Sequence, residues 1–134
     1  MSPVVPHFAL DEESSGEGAH VIRLRGEIHV STAPEFAQRL TTAIESGRTR
    51  IVLDMSGVEF IDSTGLSVLL NGLRLVRQLH GRMALVTSNP TVLRLFHITS
   101  LNETFDIFDD RDKAIAHVLQ DGPEAEGAST SGAP

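Results

Sequence analysis

The chain has 134 residues, enough for one domain with a single buried core, and a hydrophobic fraction of 40% that fits a globular class. Its net charge of −7 does not read as that of a nucleic-acid binder, which needs a basic stripe, and argues against an anionic membrane surface, while being compatible with a basic protein partner. Cysteine, Trp and Tyr are absent, which rules out disulfides, thiolate metal sites and a thiol nucleophile, and makes stacking platforms for bases or sugars improbable. The first six residues lack the basic region of a signal peptide, and no apolar run reaches the roughly 18 residues of a membrane span, so a cytoplasmic protein without membrane insertion is expected.

In chain order, residues 1–6 read as a flexible N-terminus and His7 to Leu10 as a short first strand. Asp11 to Gly18 is acidic and rich in Gly and Ser, the composition of a turn or flexible loop. Val21 to Ile28 alternates, with Ile22, Leu24 and Ile28 on one face and Arg23, Arg25 and Glu27 on the other. It is predicted as a half-buried strand, paired antiparallel with the first at the sheet's edge. Thr32-Ala33-Pro34-Glu35 matches a capping box with Pro in the first turn. A helix follows with Phe36, Leu40, Ala43 and Ile44 inward, ended by Gly47.

Ile51 to Leu53 shows no alternation and is predicted as a strand covered on both faces. A loop should follow, with a turn at Ser56-Gly57, leading to the tetrad Asp62-Ser63-Thr64-Gly65. Leu66, Leu69, Leu70, Leu73 and Val76 then repeat at i, i+3, i+4, i+7 and i+10, one apolar stripe of a helix. Ser67, Asn71, Arg74 and Gln78 fall largely on other faces. Asp62 or Ser63 is the natural N-cap, and Gly65, unfavourable for helix, would let another backbone approach. Gly81 marks a break, and Met83 to Val86 is a further buried strand. Asn89-Pro90 starts a short helix with Val92, Leu95 and Phe96 inward. Phe105 to Phe108 is the last strand, and Asp109 or Asp110 caps a final helix that buries Ile115, Val118 and Leu119. The tail 121–134 has almost no large apolar groups and should be disordered. The fold expected for 7–120 is α/β, a single-layer, largely parallel sheet of about four to five strands with about four helices.

Caps at helix starts usually have no further role. The tetrad stands out because it lies on the strand-end side, where open α/β sheets place their sites. Competing chemistries lack their residues. The six histidines have no zinc spacing, no phosphate-cradling glycine loop follows a strand, and no Gly-x-Ser-x-Gly elbow is present. Thr64 interrupts the loop spacing of an aspartic protease, and no second copy of that loop exists. No acid–base pair with a plausible pocket supports an enzyme; no catalytic, cofactor-binding or metal residues are expected.

Four ordered blocks resemble the STAS domain family, and more narrowly the bacterial anti-sigma factor antagonists. These are Gly26-Glu27-Ile28 with Thr32-Ala33; Ile51-Val52-Leu53-Asp54; Phe60 to Leu66 around the tetrad; and Pro90, Val92, Arg94-Leu95-Phe96 with Leu101. The resemblance spans roughly His7 to Gln120. It implies a non-enzymatic regulator whose unphosphorylated form binds an anti-sigma factor that is itself a serine kinase, so freeing a sigma factor. The kinase would inactivate it at Ser63, the residue after Asp62, and a serine phosphatase would restore it. Asp62, Thr64 and Gly65 complete the site loop; Glu27, His29, Ser67 and Asn71 are the expected partner-binding residues. His29 stands where the family often has Asp, and Ser67 where Gly is frequent. The alternative is a STAS subunit of a stress-signalling scaffold or of a lipid or anion transport system.

Overall fold

The computed structural model describes residues 8–15 and 18–120. The expected N-terminal segment 1–6, His7 and the tail from 121 lie outside the described residues. Within them the order is β1 (Ala9–Ser14), β2 (His20–Ile28), α1 (Ala33–Glu45), β3 (Arg50–Ile61), α2 (Ser63–Gln78), β4 (Arg82–Val86), α3 (Pro90–Ile98), a 3-10 turn (Leu101–Glu103), β5 (Asp106–Phe108) and α4 (Arg111–Val118). The five strands form one sheet in sequence order. β1 pairs antiparallel with β2, and every later pairing is parallel. The mixed, largely parallel sheet with an antiparallel edge is as the sequence led one to expect.

Strand periodicity divides the core. Ile22, Leu24, Ile51, Leu53 and Met55 face the larger cluster, with Phe36, Leu40 and Ile44 of α1, Leu66, Leu69 and Leu73 of α2, and Val92 and Phe96 of α3. Val21, Val52, Ala84 and Val86 face the smaller one, closed by Ala114 and Val118 of α4. A sheet buried on both faces needs apolar residues at consecutive positions, and Ile51, Val52 and Leu53 are all fully buried. Leu70 of the predicted stripe is only partly buried, as are Ile115 and Leu119, while Ala114 joins Val118 as a fully buried residue of α4. Gly47 closes α1 at φ 103°, a left-handed conformation that favours glycine.

Three expectations are corrected. The first is the acidic loop: Asp11 to Ser14 belong to β1, in register with Arg23, Ile22, Val21 and His20. Ion pairs hold this strand. Asp11 meets Arg23 at 3.3 Å; Glu12 meets Arg39 of α1 at 2.6 Å and His20 at 2.7 Å; Glu13 meets Arg111 of α4. The second is the loop before the tetrad. β3 runs unbroken to Ile61, and Ser56-Gly57 is strand, because β2 continues beside it in parallel, with register shifts on either side of the Arg25–Gly57 and Gly26–Val58 pairs. The third is the capping box. Thr32 stands at the N-cap but makes no cap bond; its hydroxyl turns back to donate to the Glu27 carbonyl at 2.8 Å and accept from the His29 amide at 2.9 Å.

Candidate functional site

The tetrad occupies the junction of β3 and α2. Asp62 is extended at φ −104°, ψ −173°, and its Oδ1 accepts the Gly65 amide at 3.0 Å, so Asp62 and not Ser63 is the cap. The Asp62 amide donates to the Ile28 carbonyl at 3.0 Å, which ties the cap to the end of β2. Gly65 is buried against side chains and not against the backbone its sequence suggested: a β-carbon there would lie 2.7 Å from Ile61 Cγ1 and 2.8 Å from Ile28 Cγ2.

Ser63 is therefore the first helical residue of α2, and it is exposed. Its hydroxyl makes no hydrogen bond among the described residues. Thr64 beside it is also exposed. The sixteen-residue helix presents the positive end of its dipole here, a setting that tolerates added negative charge. Ser67, one turn on, donates from Oγ to the Ser63 carbonyl at 3.1 Å, and Asn71, a further turn on, accepts from Arg74 at 3.1 Å. Ser63, Ser67, Asn71 and Arg74 form one exposed stripe down α2.

Parallel pairing brings the other expected residues to the same end of the sheet. Glu27 and Ile28 pair with Phe60 and Ile61, which places Glu27 and His29 beside the approach to Asp62. His29 Nδ1 accepts the Ser31 amide at 3.2 Å, leaving Nε2 3.8 Å from Glu27. An imidazole with a lone pair committed at Nδ1 carries its proton on Nε2, toward the carboxylate. Two apolar side chains share this end and were not singled out from the sequence: Phe60 is 44% exposed and Val30 67%. Had β3 been read as a strand through Phe60, alternation with buried Ile61 would have placed the ring outward.

The strongest charge cluster lies elsewhere. Asp54 accepts from Arg111 at 2.8 and 3.0 Å and from the Ser56 hydroxyl at 2.6 Å. Burial pushes the Asp54 carboxyl up, but the bonds from Ser56 and Arg111 outweigh it and hold the group below the usual aspartate value. The same balance, with Arg39 and His20 as donors, holds Glu12 low. These groups pin β1 and α4 to the sheet and stand apart from Ser63.

A family model described as the STAS domain matches residues 14–114. An anti-sigma F factor antagonist of Paenibacillus polymyxa is 31% identical over 102 residues, 75% of this chain and 87% of that protein. Among solved structures, an anti-sigma factor antagonist from Mycobacterium paratuberculosis is 27% identical with a TM-score of 0.74, over 85% of this chain and 96% of that one. The anti-sigma factor antagonist SpoIIAA matches in its unphosphorylated form with 27% identity and a TM-score of 0.66, over 82% of this chain and 97% of its own. In its phosphorylated form, described as a Bacillus cell fate determinant, the TM-score is 0.65 at the same identity, over 82% and 99%. By its sequence match and by its sheet and helix order, the chain belongs to the STAS domain family.

Proposed function

We propose that the protein is an anti-sigma factor antagonist controlled by phosphorylation of Ser63. Its unmodified form binds an anti-sigma factor with serine kinase activity and so releases a sigma factor; the kinase then phosphorylates Ser63, and a serine phosphatase reverses the mark. One observation carries this reading: Ser63 offers an unbonded, exposed hydroxyl at the first position of α2, on the surface where Glu27 and His29 from β2 meet the exposed stripe of that helix. The site acts by docking and needs no cofactor.

A phosphoserine adds about −1.5 to −2 charges at pH 7. The helix N-terminus accommodates that charge, so the fold persists. The nearly equal match of this chain to SpoIIAA with and without phosphate supports the same view. The cost falls on the interface, where a poorly paired dianion against the partner is worth roughly 2–5 kcal/mol, some thirty- to several-thousand-fold in affinity. Glu27, His29, Ser67 and Asn71 are assigned to the contact surface, with Thr64 and Gly65 shaping the loop.

The test is to incubate the protein with ATP and candidate anti-sigma factor kinases and to locate the phosphate by mass spectrometry. Modification at Ser63, abolished in Ser63→Ala, supports the reading. Stoichiometric modification at another residue, with Ser63→Ala labelled as well as the wild type, refutes it.

A further inference from the structure

At the far end of α1 from the tetrad lies an open cavity of about 390 Å³, between β1, the start of β2 and the last turns of the helix. That volume is within the range of small-molecule sites, about 300–1,000 Å³. It is lined by Glu12, His20, Arg39, Thr42 and Arg48 among others, with Ala43 as the one apolar residue, so the polar ends of these side chains stand among their own carbon stems.

The charges inside run against the rest of the molecule. The chain carries −7 overall, yet two arginines and a single carboxylate line this cavity. That carboxylate is already engaged on both oxygens: Glu12 Oε1 with His20 Nε2 at 2.7 Å, and Oε2 with Arg39 Nε at 2.6 Å. Arg39 thus spends only Nε, and its two terminal nitrogens have no acceptor among the described residues. Arg48 has a single long contact, Nη1 to the Ser14 hydroxyl at 3.4 Å. His20 is 6% exposed and its Nδ1 is buried without a partner, so the ring is fixed in place as the donor that keeps Glu12 occupied. The cavity is therefore lined by two guanidinium groups with donors to spare and by the Thr42 side chain. Guanidinium forks match the planar oxygens of carboxylates and the faces of phosphate.

We infer that this cavity binds a small oxyanion, a phosphate or a carboxylate, held between Arg39 and Arg48. Arg39 lies about 9 Å along α1 from its first residue, and Arg48 lies beyond the helix's other end. Binding there does not depend on whether Ser63 is a phosphoacceptor.

The probes are inorganic phosphate and citrate, titrated separately into the isotope-labelled full chain at low ionic strength while backbone amide shifts are followed. The expected result is saturable shifts at Arg39, Thr42 and Arg48 with at least one probe, and about tenfold weaker binding in Arg48→Gln, the loss of one charge-assisted contact. The probe that binds more tightly distinguishes the phosphate from the carboxylate source. Arg48 is exposed, so the substitution should leave the fold intact, which circular dichroism checks; Arg48→Lys should recover part of the affinity. Shifts that fail to saturate by about 10 mM, that cluster at Ser63 to Gly65, or that persist unchanged in Arg48→Gln overturn the inference.

Discussion

Two glycines of α2 give a test in which distance alone and chemistry disagree. A β-carbon at Gly72 would lie 2.5 Å from Leu40 Cδ2 and 3.1 Å from Met83 Cε; at Gly65 it would lie 2.7 Å from Ile61 Cγ1 and 2.8 Å from Ile28 Cγ2. By distance, Gly72→Ala is the worse clash. The atoms it meets, however, are the ends of flexible side chains, which can swing aside. Mid-helix Gly→Ala also gains about 1 kcal/mol in propensity. Gly65 meets β-branched side chains near their stiff β-carbons, from two adjacent strands that cannot retreat. Overpacking of that kind costs about 1–3 kcal/mol, and the propensity gain in the first turn is small. Gly65→Ala is expected to lose about 2 kcal/mol and Gly72→Ala to change stability by less than about 1 kcal/mol. Urea unfolding with unchanged slope reads both. A Gly72→Ala loss equal to or larger than that of Gly65→Ala refutes the reasoning. Because Gly65 follows Ser63 by two residues, the first variant should also displace the candidate phosphoacceptor.

Asp62→Ala removes the acceptor of the Gly65 amide and should cost about 1 kcal/mol, read as a lower unfolding midpoint. Glu35→Ala should be neutral within about 0.5 kcal/mol, whereas Thr32→Val, which unpairs the Glu27 carbonyl and the His29 amide, should cost about 1–3 kcal/mol in the same measurement. Acid stability has a defined sign. Glu12, Asp54 and Asp106, the last lowered chiefly by its bond from His117, titrate below ordinary carboxylates when folded. Their stabilisation is complete above the unfolded value of about 4 and is lost as pH falls through the folded values beneath it. Asp54→Asn should therefore be less stable at neutral pH and show a shallower fall below about pH 4 in pH-dependent urea titrations.

What the sequence disclosed depended on how local the cause was. The α2 stripe is a property of sixteen consecutive residues, so Leu66, Leu69, Leu73 and Val76 were legible as core and Asp62 as a cap candidate. Phe36, Leu40, Ala43 and Ile44 were legible on α1 for the same reason. The acidic run at Asp11 was not legible as strand, because the charges that hold it come from Arg23, Arg39 and Arg111, remote along the chain. Ser56-Gly57 has turn composition; only the neighbouring β2, with the Arg25 stem 2.6 Å from where a Gly57 side chain would begin, explains a glycine in that strand. The Thr32–Glu35 spacing matched a cap, but the end of β2 competed for the Thr32 hydroxyl. At the site, Ser63 could be read from its neighbours, and Glu27 and His29 through the family resemblance. Phe60 and Val30 needed the strand's true length and the loop's path.

The decisive measurement is the affinity of the stoichiometrically Ser63-phosphorylated protein for its anti-sigma factor, compared by calorimetry with that of the unmodified protein. The expected result is a dissociation constant raised at least about thirtyfold, with the unfolding midpoint nearly unchanged. Equal affinity of the two forms for that partner would contradict Ser63 as the switch.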